Sequence, residues 1–281
     1  MKQRQQNQFI LNQILPFAFL GIILLTLFWY VFWISPKEVP PATPDESLSD
    51  TSPKVRGIIA IVIDDFGYRN DVVSEGFLDL DARLTYAVIP GHENSQSFAK
   101  NAQNVGYEVI IHMPMESHVA SKGEAEYRLM TEMTSAEIEE VTERAFSHLP
   151  QAIGMNNHQG SKATEDGRVM RVVSDVLLRH QSYFVDSRTT SNTIAQRVMD
   201  KAMVPNIRRH VFLDNDFDPG LIYKQLNELA LLAEEQGMAV GIGHVKKETL
   251  HVLKEEIPKM KEQGFQFRFV SEIINQELQR H

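Results

Sequence analysis

The chain has 281 residues, of which 43% are hydrophobic and 23% are charged, which is typical of a globular protein with room for one α/β domain and an additional segment. Its net charge of −9 and its lack of a Lys/Arg-rich run argue against nucleic acid as a partner. It contains no cysteine, which excludes disulfides and thiolate metal sites.

An apolar stretch from Ile14 to Ile34 predicts an N-terminal transmembrane helix, because a helix needs about 20 apolar residues to cross a bilayer. Lys2 and Arg4 precede this stretch and acidic residues follow it. The positive-inside rule therefore places the N-terminus in the cytoplasm and the rest of the chain outside. A cleaved signal peptide is the alternative, but its apolar region is usually shorter, about 7–15 residues, and ends in a small-residue cleavage site.

The sequence predicts three segments: a membrane anchor or uncleaved signal at 1–34, a flexible linker at 35–56 and a folded domain at 57–281. Pro, Ser, Thr and Asp dominate the linker, which leaves few residues that could enter a core. We expect the domain to lie outside the cytoplasm, on the periplasmic side of an inner membrane, or to be secreted if the signal is cleaved.

Within the domain, apolar runs alternate with stretches of helical periodicity. Strands are predicted at 58–63, 84–89, 107–111, 152–155, 182–185, 210–213, 238–242 and 265–270. Helices are predicted at 134–148, which begins with the capping-box pair Thr134 and Glu137, and at 168–180, 190–202, 219–236 and 247–263. Alternation of this kind fits an α/β barrel or a doubly wound open sheet.

Polar, metal-capable side chains follow four of these strands. The residues are Asp64 and Asp65 after the first strand, His112 at the end of IIH, His158 within GMNNHQGS and His244 at the end of GIGH. Chemistry in parallel α/β folds gathers at the carboxyl ends of strands, so we expect these residues to meet. Because they come from strands far apart in sequence, a barrel, complete or incomplete, is favoured over an open sheet.

Imidazole and carboxylate together suit Zn²⁺, with another divalent first-row metal as the alternative. Each residue alone also has a structural interpretation: the aspartates as helix caps, His112 as a hydrogen-bonded core histidine, and His158 as part of a turn. The segment around Asn157 is expected to be an irregular loop that positions substrate oxygens. Asp186 and Arg188 follow the strand at 182–185 and are predicted to form an orienting pair or a structural ion pair.

The strings IVIDDFGY, IIHMPMES, GMNNHQGSKAT, YFVDSRTT and GIGH, in this order, resemble the divergent polysaccharide deacetylase family, a branch of the carbohydrate esterases. The resemblance covers residues 57–275 and implies a deformed (β/α)7-type barrel, the polysaccharide-deacetylase fold. It also implies that Asp64 is the catalytic base, that Asp65 binds the metal and that His244 is the general acid.

This sequence departs from the wider family's motifs in two places. The usual HxxxH motif is absent, because Glu116 stands four residues after His112; the resemblance therefore implies His112 and His158 as the histidine ligands. No clear copy of the relatives' Arg-x-Pro-x-Gly motif is present, and Arg188 is the candidate for its charge-balancing position.

We therefore expect a metal-dependent hydrolase that removes acetyl groups from an envelope or cell-wall polysaccharide. The alternative is a non-catalytic envelope protein on the same fold that binds a glycan or a partner protein, which the altered motifs favour. The retained Asp64 and His244 favour catalysis, since a structural metal site needs neither a base nor an acid. Hydrolysis of a glycosidic bond by paired carboxylates is less favoured, because that chemistry does not need histidine ligands.

Overall fold

The computed structural model describes residues 29–30, 55–120 and 123–279. The chain divides into two compact units, Met1–Ser52 and Pro53–His281, and the second unit contains the sheet and the helices that surround it. Apart from the helical, exposed Trp29 and Tyr30, the predicted anchor lies outside the described residues, as does most of the linker, so both remain predictions. No helix in the described part of the chain is long and apolar enough to span a bilayer.

Strands and helices alternate along most of the described domain. The strands are β1 (Gly57–Phe66), β2 (Thr85–Val88), β3 (Glu108–Met115), β4 (Gly154–Gln159), β5 (Tyr183–Asp186), β6 (Asn206–Arg208), β7 (Val211–Phe212), β8 (Met238–His244) and β9 (Phe265–Phe267). The helices are α1 (Val72–Leu78), α2 (Ser95–Asn104), α3 (Ser135–His148), α4 (Gly167–Arg179), α5 (Ala195–Ala202), α6 (Pro219–Gln236), α7 (Lys247–Glu262) and α8 (Val270–Leu278), with a 3₁₀ turn at Ala163–Glu165.

The described strands form one sheet in which every pairing is parallel. Its order is β6-β5-β4-β3-β2-β1-β8-β7, and β9 pairs with β1 at the start of that strand. β6 and β7 stand at the two ends of this order and do not pair with each other, although they are consecutive in the chain. The sheet is therefore a curled, incompletely closed barrel, and the predicted parallel α/β class is confirmed at this level.

Two apolar clusters pack on the two faces of the sheet, because successive strand residues point to opposite sides. On β1, Ile59, Ile61 and Ile63 belong to a large cluster that includes residues of helices α1 to α7. Ala60 and Val62 belong to a smaller cluster that contains only strand residues and the side chains of α8. The smaller cluster therefore fills the concave face of the sheet, and α8 packs against it.

Candidate functional site

The site is a polar continuation of the concave face. Asp64 follows Ala60 and Val62 at a spacing of two residues, so it belongs to the same face of β1. By the same rule His244 follows Val240 and Ile242 on β8, and His112 follows Ile110 on β3. The strands thus bury apolar side chains along most of their length and present polar ones at their carboxyl ends.

Strand register sets the height of these side chains. Asp64 pairs with His244 across β1 and β8, so the two side chains lie at the same level. His112 pairs with Asn156, and Pro114 pairs with His158, across β3 and β4. His158 therefore lies on the same face as His112, one step closer to the mouth of the barrel.

Asp65 reaches the site through an irregularity of the backbone. A regular strand would point Asp64 and Asp65 to opposite faces. Instead the pairing register between β1 and β2 shifts between Ile63 and Phe66, and Asp65 adopts a left-handed conformation with φ of 69°. Such a bulge redirects a side chain, and a left-handed non-glycine residue of this kind occurs often at functional sites. Both carboxylates consequently serve one site.

Asp65, His112 and His158 form a cluster whose possible ligand atoms all lie within 4.8 Å of one another. Asp65 Oδ1 lies 3.4 Å from His112 Nε2 and 3.3 Å from His158 Nδ1, and the two ring nitrogens are 3.0 Å apart. Asp65 Oδ1 is buried and makes no hydrogen bond to any described residue. A buried oxygen without a donor is rare, and one that converges with two imidazole nitrogens fits a cation ligand.

Asn156 fixes the orientation of the two groups on either side of it. Its Nδ2 donates to Asp64 Oδ1 at 2.8 Å, and its Oδ1 lies 2.7 Å from His112 Nδ1. Because an amide oxygen only accepts, His112 must carry its proton on Nδ1, which leaves the Nε2 lone pair directed at the cluster. In known metal sites, a second contact of this kind orients the histidine ligands.

The two adjacent aspartates have opposite protonation tendencies. Asp64 is 3% exposed, and burial raises the pKa of its carboxyl although the nearby His112 and His244 act in the other direction. Burial also acts to raise the pKa of Asp65, but its closeness to His112 and His158 outweighs burial and holds that pKa well below its usual range. Asp65 is therefore the permanent anion of the pair and Asp64 the stronger base.

His244 is held by Asp214, which the sequence reasoning missed. Asp214 Oδ1 lies 2.8 Å from His244 Nδ1, and Asp214 Oδ2 accepts from the His244 backbone N–H at 2.7 Å and from Thr249 Oγ1 at 2.6 Å. Burial of the imidazole lowers its pKa, but the hydrogen bond and charge of Asp214 outweigh burial and raise the pKa of His244 to about 9. Asp214 directly follows the apolar run at 210–213, so the strand-end rule would have found it.

Arg209 is the second residue that sequence reasoning missed. Its guanidinium donates to the backbone oxygens of Ser187 at 2.8 Å and Arg188 at 3.0 Å, and it packs over the Phe212 ring at 4.9 Å. Burial lowers the pKa of Arg209, as does the charge of Arg188, whereas Asp186 and Asp64 act to raise it. No sequence motif marked this arginine.

Asp186 and Arg188 are in contact, but not through the predicted side-chain pair. The Asp186 carboxylate accepts from the backbone N–H of Arg188 at 2.8 Å and from Thr193 Oγ1 at 2.9 Å. No ion pair joins the carboxylate to the Arg188 guanidinium among the described residues. Asp186 therefore shapes the turn after β5, in which Arg188 adopts a left-handed φ of 49°.

The segment around Asn157 differs from the predicted irregular loop. β4 continues through Asn156, Asn157 and His158, and the left-handed turn begins only at Gln159. Asn157 is buried, its Nδ2 donates to Gln159 O at 2.7 Å and its Oδ1 accepts from Ser187 N at 2.9 Å. These contacts tie the end of β4 to the residue that follows β5.

The fold and the cluster define this chain as a parallel α/β protein with a metal-capable site at its strand ends. Residues 61–274 match the family described as divergent polysaccharide deacetylase. The chain is 37% identical over 210 residues to the uncharacterized protein YibQ of Escherichia coli, which covers 75% of this chain and 65% of that protein. It is 31% identical over 204 residues to an uncharacterized protein of Haemophilus influenzae, which covers 73% and 72%.

Among solved structures, an uncharacterized protein from Agrobacterium tumefaciens has the same fold, with a TM-score of 0.73 and 17% identity over 77% of this chain and 89% of the other. Because residues 61–274 match the divergent polysaccharide deacetylase family, the chain belongs to it, and the predicted resemblance is confirmed. The matched part spans about two thirds of the E. coli relative's length.

Proposed function

We propose that this protein is a metal-dependent hydrolase that removes acetyl groups from an envelope or cell-wall polysaccharide. The observation that supports the proposal is that three groups lie at one barrel mouth: the metal-capable cluster, the buried carboxylate of Asp64, and His244, which is held by Asp214. The family's description supports an acetylated glycan as the substrate class. A cluster that served only structure would need neither Asp64 nor the His244–Asp214 pair.

Asp65, His112 and His158 would hold the metal. Two imidazoles and one carboxylate form a three-residue set that leaves a position open, which suits Zn²⁺ or another divalent first-row metal. Two atoms of this set are suited to bind a metal: Asp65 Oδ1, which has no hydrogen-bond donor, and His112 Nε2, which keeps its lone pair. When bound, the ion would supply a Lewis acid that polarises an oxygen and acidifies water.

The remaining residues would move protons. Asp64 accepts the proton of the water that attacks the acetyl carbonyl carbon, since it is buried beside the cluster and burial favours its protonated form. His244 donates its proton to the leaving nitrogen or oxygen of the sugar. The raised pKa keeps that imidazole charged at neutral pH, and Asp214 holds it by Nδ1, which leaves Nε2 as the donating atom.

The N-terminal segment gives the proposed location. A 21-residue apolar stretch at 14–34 after Lys2 and Arg4 is long enough to anchor the domain outside the cytoplasm, on the periplasmic side of an inner membrane. A fusion of alkaline phosphatase to the C-terminus should be active in cells if this orientation holds. An inactive fusion, with an active cytoplasmic reporter in its place, would overturn it.

Metal content and acetate release test the proposal together. The full chain should contain about one Zn²⁺ equivalent by elemental analysis, and His158→Ala should lose it because three protein ligands become two. His118→Ala is the matched control, because His118 is exposed and pairs with Glu165 away from the cluster. Asp64→Asn should keep the metal and lose acetate release from a panel of acetylated glycans.

Two results would contradict this assignment. Full acetate release by Asp64→Asn would exclude Asp64 as the base. Glycan binding by the wild-type chain without acetate release from any member of the panel would favour the alternative, a non-catalytic glycan-binding protein on the same fold.

A further inference from the structure

A cavity of about 650 Å³ lies beside β7, the strand at one end of the sheet order. Among the described strands β6 pairs only with β5 and β7 pairs only with β8, so the sheet has a seam between β6 and β7. We call the space beside β7 and the first half of α6 the seam cavity. Its lining includes Phe212, Asn215, Leu221, Lys224, Gln225 and Glu228.

The seam cavity shares a wall with the candidate site. The Phe212 ring lines the cavity and also packs edge-on against the His244 ring, with 5.2 Å between ring centroids. Asn215 lines the cavity and is the next residue after Asp214, which holds His244. A molecule in the cavity would therefore lie beside the proposed proton donor rather than on a remote surface.

The α6 wall of the seam cavity combines an apolar patch with free polar groups. Leu221, Lys224, Gln225 and Glu228 follow the spacing of one helix face. Leu221 is 45% exposed. Within the described part of the chain, the side chains of Lys224, Gln225 and Glu228 make no hydrogen bond or ion pair, although Lys224 and Glu228 are four residues apart.

This combination matches the chemistry of a sugar ring. A pyranose has hydroxyl groups around its rim and apolar C–H faces, so it needs planar amide or carboxylate partners together with an apolar surface. Gln225 and Glu228 supply the first, and Leu221 and Phe212 supply the second. The volume lies within the range of about 300–1,000 Å³ that ligand cavities usually have.

We infer that the seam cavity binds sugar units of the polysaccharide next to the unit that carries the reacting acetyl group. The inference rests on the proposed function, because it takes the substrate to be a glycan chain. It makes the protein selective for polymers over single sugars, since only a chain can occupy the site and the seam cavity together.

Chain-length preference in binding tests the inference. The probes are N-acetylglucosamine and its β-1,4-linked pentamer, titrated calorimetrically into the full metal-loaded chain with the Asp64→Asn change to prevent turnover. The pentamer should bind at least about tenfold more tightly than the monomer. Gln225→Ala with Glu228→Ala should weaken binding of the pentamer enough to reduce that ratio about tenfold, the effect of removing two hydrogen-bonding groups.

The same helix offers a matched control. Glu235→Ala with Gln236→Ala removes the same two residue types from exposed positions of α6 that do not line the cavity, and should keep the wild-type ratio. An unchanged ratio in the Gln225/Glu228 variant, equal affinity for the two probes, or no binding of either probe would each overturn the inference. Chain-length-dependent binding that needs Gln225 and Glu228, with no acetate release by the wild-type chain, would support the inference and overturn the proposed function.

Discussion

Replacement of Asp214 by Asn should remove the charge that keeps His244 protonated. An Asn side chain can keep its oxygen at the position of Asp214 Oδ2, where it still accepts from the His244 backbone and from Thr249. Its NH2 group then faces His244 Nδ1, which must accept instead of donate. His244 would become a neutral ring with its proton on Nε2, in a fold that is otherwise preserved.

The size of this effect follows from the pKa of His244. Burial lowers that pKa and Asp214 raises it, with a net rise from 6.5 to about 9. At about 1.4 kcal/mol per pKa unit, the rise corresponds to about 3 kcal/mol of preference for the charged ring. This raised pKa contributes stability that is fully present below pH 6.5 and is lost as pH rises through about 9.

The activity of the variant should change with pH in a defined way. At pH 8 a histidine of pKa about 9 is mostly charged, whereas one of pKa 6.5 is mostly neutral, so the protonated fraction falls about thirtyfold. Asp214→Asn should therefore move the alkaline limb of the acetate-release profile from near pH 9 toward 6.5 or below. It should also remove the loss of stability between those pH values that the wild type shows.

An NMR titration of the histidine ring protons measures this pKa without reference to activity. It requires metal-free protein, because a nearby divalent cation would lower the pKa of His244, and the His244→Gln variant identifies the signal among the ten histidines. Asp216→Asn is the control, since Asp216 is exposed and contacts the backbone of Asp218 instead. A wild-type His244 that titrates near 6.5, or an unchanged pKa in Asp214→Asn, would refute the reasoning.

Three further substitutions test a hydrogen bond of the candidate site and two packing contacts of the fold. Asn156→Ala should weaken metal binding about 10- to 100-fold in a competition assay with a chelator, because His112 loses its tautomer-fixing partner; unchanged affinity would exclude that role. Phe66→Ala should reduce the free energy of unfolding in urea by about 3–5 kcal/mol, since the buried ring stacks on Phe98 at 4.0 Å between centroids. Gly57→Ala should also destabilise the chain in that assay, because its Cβ would lie 2.6 Å from backbone atoms of Ala233, and a loss below about 0.5 kcal/mol would contradict this contact.

Much of the fold could be predicted because its strands are buried and apolar. The capping box of Thr134 and Glu137 is present at the start of α3, as the sequence predicted. β6 was missed because its three residues include only one apolar side chain, Ile207. α2 was missed because its sequence is mostly polar and only a few of its residues, such as Phe98 and Ala102, are buried.

The candidate site was less predictable where geometry departs from regular strands. The strand-end rule led to Asp64, His112 and His244, because each directly follows an apolar run within its strand. It ended β4 too early, since Asn156 and His158 are polar residues that face the site from within a strand. The packing of Arg209 against the turn after β5 could not be predicted from sequence, because this half-buried arginine binds carbonyl groups that only the fold brings together.

The two adjacent aspartates illustrate what sequence alone cannot assign. Asp64 and Asp65 are chemically identical, and only the resemblance to a family distinguished base from ligand. In the structure, Asp64 continues a regular strand into a buried position beside Asn156, whereas the left-handed turn at Asp65 brings its carboxylate between two imidazoles. The same carboxyl group therefore has a raised pKa at one position and a lowered pKa at the next. The bulge in β1 produces this difference, which would suit Asp64 to act as the proposed base and Asp65 to bind the proposed metal.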